Sequence, residues 1–292
     1  MRKIGLLSVV LAIAAWPAIG QQQVDEKRPD SATGTVEISN VSGLVKITGW
    51  DKAEVQVTGT LGRGTERLEF SGSGNRTLVK VVLPHFAHHV DGSDLDIKVP
   101  AGSSVEVDTV SAEVAVDRVL GDVKAQTVSG GATVAGRPRE FDAKTVSGEI
   151  EITAANAPGR ASSVSGGVTL RGVAGAVEAR SVSGDVLVKG GDATRVELET
   201  TSGDIRFEAS LAKDGRLDAK SVSGTVTLDL PAATAADFDV STFSGDITNE
   251  FGPAARRTSD YAPGRELSFS TGGGGARIVA KSFSGSVLLR KH

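Results

Sequence analysis

The chain has 292 residues, of which 36 are Gly and 36 are Val, with no Cys and only 4% aromatic residues. Val favours pleated strands and Gly favours turns, so the composition predicts an all-β, turn-dense protein with a core of small side chains. The missing Cys excludes disulfides, thiol catalysis, Cys-ligated metals and lipid attachment through an N-terminal Cys, and a formal charge of −4 leaves no basic footprint for nucleic acid.

Arg2 and Lys3 precede an apolar run over residues 4–16, which Pro17 ends before the small residues Ala18 and Gly20. That order predicts a secretory signal peptide over residues 1–20, cleaved before Gln21. An uncleaved anchor would need about 20 apolar residues to span a bilayer, and this run is shorter. No later segment is apolar enough to span. The exported chain is therefore expected to be soluble, in the periplasm or at the cell surface. Without Arg2 and Lys3 it carries 30 basic and 36 acidic residues, a net charge of −6. Residues 21–31 are polar and read as a flexible lead-in.

Residues 32–292 read as one elongated domain. Over residues 32–104 the pattern is irregular, with a repeat-like copy at residues 36–47 and strands around Val55, Leu78 and Leu95. This stretch is expected to supply N-terminal coils and a cap. Pro100-Ala101-Gly102 then punctuates the chain. Residues 105–248 are regular, residues 249–275 form an insertion rich in Gly and Pro that is expected as a loop or hairpin beside the stack, and residues 276–292 read as the last coil.

The regular part is built on the tetrapeptide [Thr/Ser]-x-Ser-Gly. Its serines are Ser111, Ser129, Ser147, Ser165, Ser183, Ser202, Ser223, Ser244 and Ser284, at steps of 18, 18, 18, 18, 19, 21, 21 and 40, with an outlying copy at Ser42. The step of 40 reads as two steps with one copy obscured, which gives ten coils from Ser111 to Ser284. Two residues before each of the nine serines stands a hydroxyl, from Thr109 to Ser282. Four before and three after stand small apolar residues, such as Ala179 and Val186 around Ser183. Apolar and polar residues alternate within each coil, which means strands with one buried face. The phase changes at Ser-Gly, where a missing β-carbon permits backbone angles for a corner. Only Ala112 breaks that Gly column.

Each repeat is thus two short strands and two corners, and one coil cannot bury its own apolar face. The fold class predicted is an all-β, single-chain parallel β-solenoid with 18–21-residue coils, right-handed by the general rule for parallel connections. The hydroxyl column is expected to form a ladder at the corner. A left-handed β-helix would need apolar residues every six, and Pro158 fails that test. The calcium-binding Gly-Gly-x-Gly-x-Asp pattern is absent.

The pattern Leu-x-Ile-x-Val-Pro-Ala-Gly at residues 95–102, then Val105-Glu106-Val107 and serial Val-Ser-Gly-Asp/Glu-Val/Ile, resembles a family of exported bacterial proteins known as putative adhesins of unknown function. Residues 272–285, Gly-Gly-Gly-Gly-Ala-Arg-Ile-x-x-x-Ser-x-Ser-Gly, are similar to that family's last coil. The resemblance covers nearly all of the chain after residue 20. It implies a β-solenoid without established enzymatic activity, and it transfers no functional residue.

Candidate chemistry is sparse. His85, His88 and His89, with Asp91 and Asp94 nearby, carry metal-ligating groups, but their spacing matches no metal motif and the segment reads as a solvated link. Two residues after the motif serine stand Glu149, Asp185, Asp204 and Asp246. Asp185 and Asp204 fall on adjacent coils, near the ~5 Å carboxylate spacing of retaining glycosidases. Any stacked pair would show that spacing, and Ser-Gly-Asp is ordinary turn chemistry. The motif serines have no His base in sequence context. Trp50 and Tyr261 are the only Trp and Tyr beyond residue 20, so sugar binding through aromatic platforms is not expected. No catalytic, cofactor or metal residue is assigned, and no residue pattern sets an oligomeric state. The reading is a non-enzymatic exported scaffold or adhesin-like interaction protein of the cell envelope, contacting an envelope macromolecule or glycan. The alternative is a carbohydrate-active β-helix enzyme, a glycosidase or lyase, using Asp185 and Asp204. Alternating outward charges such as Glu178, Arg180, Glu197 and Lys220 suit a weak contact surface or simply a solvated face.

Overall fold

The structure is a computed structural model, and it describes residues 21–85, 90–259 and 263–292. The expected signal peptide, His88 and His89, and Tyr261 lie outside the described residues. Short alternating runs favour strands, and the described residues hold strands and turns but no helix. All 23 strands join one continuous sheet that wraps around the core.

The repeating unit is two strands joined by corners. Val123–Gln126 and Ala132–Gly136 make one coil, Phe141–Lys144 and Ile150–Ala154 the next. Each strand pairs in parallel with its counterpart one coil away. Phe141 lies opposite Val123 and Gly159, and Ile150 lies opposite Ala132 and Val168. Two parallel walls result, and their inward residues fill the space between them. Ala125, Ala143, Ala161 and Ala179 of one wall and Ile150, Val168 and Val186 of the other are no more than 1% exposed. Burying these side chains supplies the main driving force for stacking.

The buried hydroxyl column forms a ladder. Ser163 Oγ accepts from Gly166 N at 2.8 Å within its own coil and donates to Gly148 O of the neighbouring coil at 3.2 Å. Thr145 and Ser181 repeat this arrangement. In the coil of Ser42, Asn40 takes the hydroxyl's place, its amide donating to Ser93 O at 2.9 Å and Ser42 O at 3.0 Å. Each rung pairs backbone groups that the corner would otherwise bury unpaired.

The Gly of the motif serves a different purpose from the expected one. Of the motif glycines, only Gly43 and Gly224 take a positive φ. The others are required by close approach. A Cβ on Gly148 would sit 1.9 Å from Gly130 O, and one on Gly166 would sit 1.8 Å from Gly148 O. Ala112 stands beside Gly43, whose φ of +108 departs from the column.

Both ends depart from sequence order. At the C-terminal end, Ala276–Ser284 inserts between Ile205–Ser223 and Ala236–Ser244, parallel to both. Val287–Lys291 likewise lies between Val226–Leu230 and Ile247–Asn249. The last coil in sequence is therefore the last but one in space. The step of 40 hides no extra copy. Within it, Arg265–Thr271 pairs antiparallel with Ala236–Ser244 and covers that edge. This explains why Ile247 and Asn249 are only half-buried, since their coil is the outermost. Phe269 stacks on Phe238 at 4.6 Å between centroids, and Phe251 approaches Phe238 at 5.5 Å, closing the apolar end.

The N-terminal end mirrors this arrangement. Thr35–Trp50 lies between Ser104–Val119 and the pair Arg76–Val82 and Ser93–Pro100. Residues 21–31, expected as a flexible lead-in, are instead mostly a strand. Gln22–Pro29 pairs antiparallel along its whole length with Glu54–Leu61. Its polarity reflects an edge position, where charged residues and Pro discourage further pairing.

Candidate functional site

The two corners that join the walls differ in what they expose. At the motif corner, the residue between the buried hydroxyl and the motif serine points outward. Val110, Val128, Val146, Val164 and Val182 follow one another there, and Val222, Phe283 and Phe243 continue the line, each 43–57% exposed. Thr201 is the one polar rung in that run. The coils remain hydrogen-bonded at this corner, with Ser147 N donating to Val128 O at 2.9 Å and Ser165 N to Val146 O at 2.8 Å. The valines therefore stack at the ~4.8 Å repeat of a β-ladder. Phe243 and Phe283 stack at 4.9 Å with their planes 5° apart. An apolar ridge results, interrupted at Thr201 and flanked by the exposed motif serines.

The acidic column beside this corner is occupied by structural work. Asp185 Oδ1 accepts from Asp204 N at 2.8 Å, and Asp204 Oδ1 accepts from Thr225 N at 2.7 Å. Asp94 does the same for Leu44 N at 3.0 Å. Each carboxylate thus holds the backbone of an adjacent coil. A shallow depression of about 500 Å³ includes Glu149, Asp185, Asp204 and Arg206. No Ser, Thr or His in it is placed as a nucleophile with a base. His85 sits at a turn after Arg76–Val82, and among the described residues no group of three or more His, Cys, Asp or Glu converges to hold a metal ion.

The outward charges of the walls pair with one another across coils. Arg180 meets Glu197 at 2.6 Å, Glu178 at 3.1 Å and Glu199 at 3.4 Å, and Lys220 meets Glu199 at 3.2 Å. A hydrogen bond from Lys189, offset by burial and helped by Arg206, holds Glu208 below the usual carboxylate range. A hydrogen bond from Arg216 does the same for Asp218. Cross-coil ion pairs thus recur along these walls.

At the opposite corner lies a cavity of about 750 Å³ bordered by Trp50, Lys98, Arg118, Leu120 and Arg137. Trp50 ends a wall strand, and its indole N–H donates to Glu54 O at 2.8 Å. Lys52 and Lys98 place their ammonium groups 4.7 and 5.6 Å from the ring centroid. Leu120 is 54% exposed. Arg118 occupies a bulge between Asp117 and Val119 and adopts φ +56. Its carbonyl approaches Gly49 so closely that a Cβ there would lie 2.0 Å from it. A left-handed backbone at a non-Gly residue stores strain, and a bulge re-aims the side chain. Sequence reading set Trp50 aside as a lone aromatic. Lys52 is two positions away, but Lys98, Arg118 and Arg137 are 48 to 87 positions away, so no local pattern announces the cluster.

Stacked coils that present an apolar ridge at one corner and an aromatic, cationic cleft at the other define a β-solenoid-like repeat fold. The chain belongs to the Toastrack DUF4097 family, which matches residues 97–287. Among solved structures, a "putative lipid binding protein" from Parabacteroides distasonis is similar at 13% identity and TM-score 0.51, covering 92% of this chain and 97% of its own. A "putative adhesin" from Bacteroides fragilis is 11% identical with TM-score 0.46, covering 93% of this chain and 98% of its own. No curated protein matches the chain. The likeness to the P. distasonis protein extends to the fold alone. No helix among the described residues is long and apolar enough to cross a membrane.

Proposed function

We propose that this chain is a non-enzymatic, exported β-solenoid scaffold, an adhesin-like interaction protein of the bacterial cell envelope. Residues 1–20 are its signal peptide, and the chain from Gln21 works in the periplasm or at the cell surface. The coils run right-handed, following the general rule for parallel β connections. The observation that carries this reading is the exposed Val and Phe ridge. Regular contiguous apolar surface of this kind costs solubility and marks interaction surfaces on soluble proteins. The family's lack of an assigned activity and the lipid-binding name of the P. distasonis protein both support a binding role. The partner is an envelope macromolecule or glycan.

The test is capture from envelope extract by the purified protein, alongside turnover assays on a polysaccharide panel. The double variant Val146→Lys, Val164→Lys changes only exposed rungs and should keep its melting temperature within the range of surface substitutions. A partner held by the wild type and lost by this variant, with no turnover, is the expected result. Turnover that disappears in Asp185→Asn or Asp204→Asn would overturn the reading in favour of a glycosidase or lyase.

A further inference from the structure

We propose that the Trp50 cleft is a binding site for a carboxylated sugar within an acidic polysaccharide. This goes beyond the ridge, which lies at the other corner and shares no residue with the cleft. Four observations converge. The cavity, about 750 Å³, lies within the size range of small-ligand pockets. Trp50 and Leu120 give it an apolar surface, and the C–H face of a pyranose ring packs on such a surface, an aromatic one above all. Lys98 and Arg137 form no ion pair among the described residues, and Arg118 is paired only through its Nε, to Asp117 Oδ2 at 3.0 Å. The terminal nitrogens of both arginines therefore offer forked donors that match a carboxylate. Arg118 is also the residue held at φ +56 by the bulge, which re-aims its side chain relative to the regular strand.

The chemistry selects among anions. An acyl chain needs an apolar shaft, and the residues behind the cleft, Ile47 and Val119, are at most 1% exposed in a closed core. A sugar needs only an open surface with one flat apolar side and a cationic rim. The cleft is open at the outside of a rigid wall, so a polymer can pass through it. Asp51 at the rim, and Asp117 paired to Arg118, would repel a ligand charged at every edge and favour one with a single carboxylate per ring.

The experiment is calorimetric titration of the purified protein with a short oligogalacturonate, read also as quenching of Trp50 emission. The comparison arms are the same oligomer fully methyl-esterified, free galacturonate, and vesicles of phosphatidylglycerol. Saturable binding is expected, weakened about ten-fold or more by methyl esterification or by Arg137→Gln, the loss of a charged hydrogen bond. Free galacturonate should compete. Arg118→Gly is the decisive variant, because it relieves the left-handed strain: its melting temperature should hold or rise while binding falls about ten-fold. Equal affinity for the esterified oligomer, no binding by the wild type, unchanged binding in Arg118→Gly, or binding to the vesicles in place of the sugar would each overturn the proposal. Capture through the ridge should be unaffected by these variants, so either reading can fail without the other.

Discussion

The motif corner and the opposite corner join the same two walls under different constraints. Across the motif corner, Val123 to Ala132, Val177 to Val186, Val196 to Ile205 and Leu217 to Val226 are each nine residues apart. Across the opposite corner the separations grow, from nine between Val168 and Val177 to ten between Val186 and Val196 and twelve between Ile205 and Leu217. All the drift from 18- to 21-residue coils in this part of the stack is taken up there. Individual glycines at the two corners also serve different needs. At Gly148 the neighbouring backbone leaves no room for a Cβ, whereas Gly190 has only an ordinary contact at 3.9 Å but sits at φ +68. A corner pressed against the next coil is fixed in length and sequence, and a corner that bulges into solvent is free to vary. The repeat is visible in the sequence because one corner permits little variation, and the cleft arises where the other permits more.

The largest test of this contrast is a single-residue insertion. Placed between Ser165 and Gly166, it should prevent folding, because a one-residue slip turns every following side chain to the wrong face. Placed after Asp214, in a long solvent-facing corner, it should leave a cooperative melt close to that of the wild type. Similar melts for both insertions would erase the distinction between the corners.

Next in size is a buried charge. Val186→Asp puts an unpaired carboxylate between the walls and should cost about 4 kcal/mol or more. Asp185→Asn keeps an oxygen able to accept from Asp204 N, and it should stay within about 0.5 kcal/mol. Chemical denaturation of the two variants checks the register, since equal costs would mean that inward and outward faces are exchanged.

Gly148→Ala should cost about 3 kcal/mol, since the neighbouring carbonyl must move with its whole coil. Gly190→Ala pays only for its left-handed backbone, about 1–2 kcal/mol. If the alanine at Gly190 proves the more damaging, close approach is not what fixes the motif corner.

The smallest expected effect concerns the ion-pair walls. Glu208 and Asp218 are held below the usual carboxylate range by Lys189 and Arg216. A carboxylate depressed in the folded state adds stability that is fully present above its unfolded pKa, about 4, and is lost as pH falls through the folded value. The melting temperature should therefore be flat down to about pH 5 and decline below about pH 4. Asp218→Asn should shallow that decline slightly and leave the neutral melting temperature nearly unchanged, because both groups reach solvent.

The sequence by itself determined the periodic part of this protein. The columns of Ala, Val and Ile, the hydroxyl two residues before Ser183 or Ser202, and the corner at Ser-Gly were all legible, because stacking repeats the same contact in every coil and so repeats the residue that makes it. It also disclosed that Asp185 and Asp204 stand on adjacent coils, though not that each is committed to the next coil's amide. Tertiary structure alone decided the order of the coils at the two ends. Nothing local tells Ala276–Ser284 to insert beside Ile205–Ser223 when every coil offers the same ladder of donors and acceptors. In the folded chain Arg265–Thr271 covers the edge of Ala236–Ser244, and Gln22–Pro29 covers that of Glu54–Leu61. Tertiary structure alone likewise assembled Trp50 with Lys98, Arg118 and Arg137. These residues come from successive coils at the corner that tolerates variation, where no column repeats and only the folded chain brings them together.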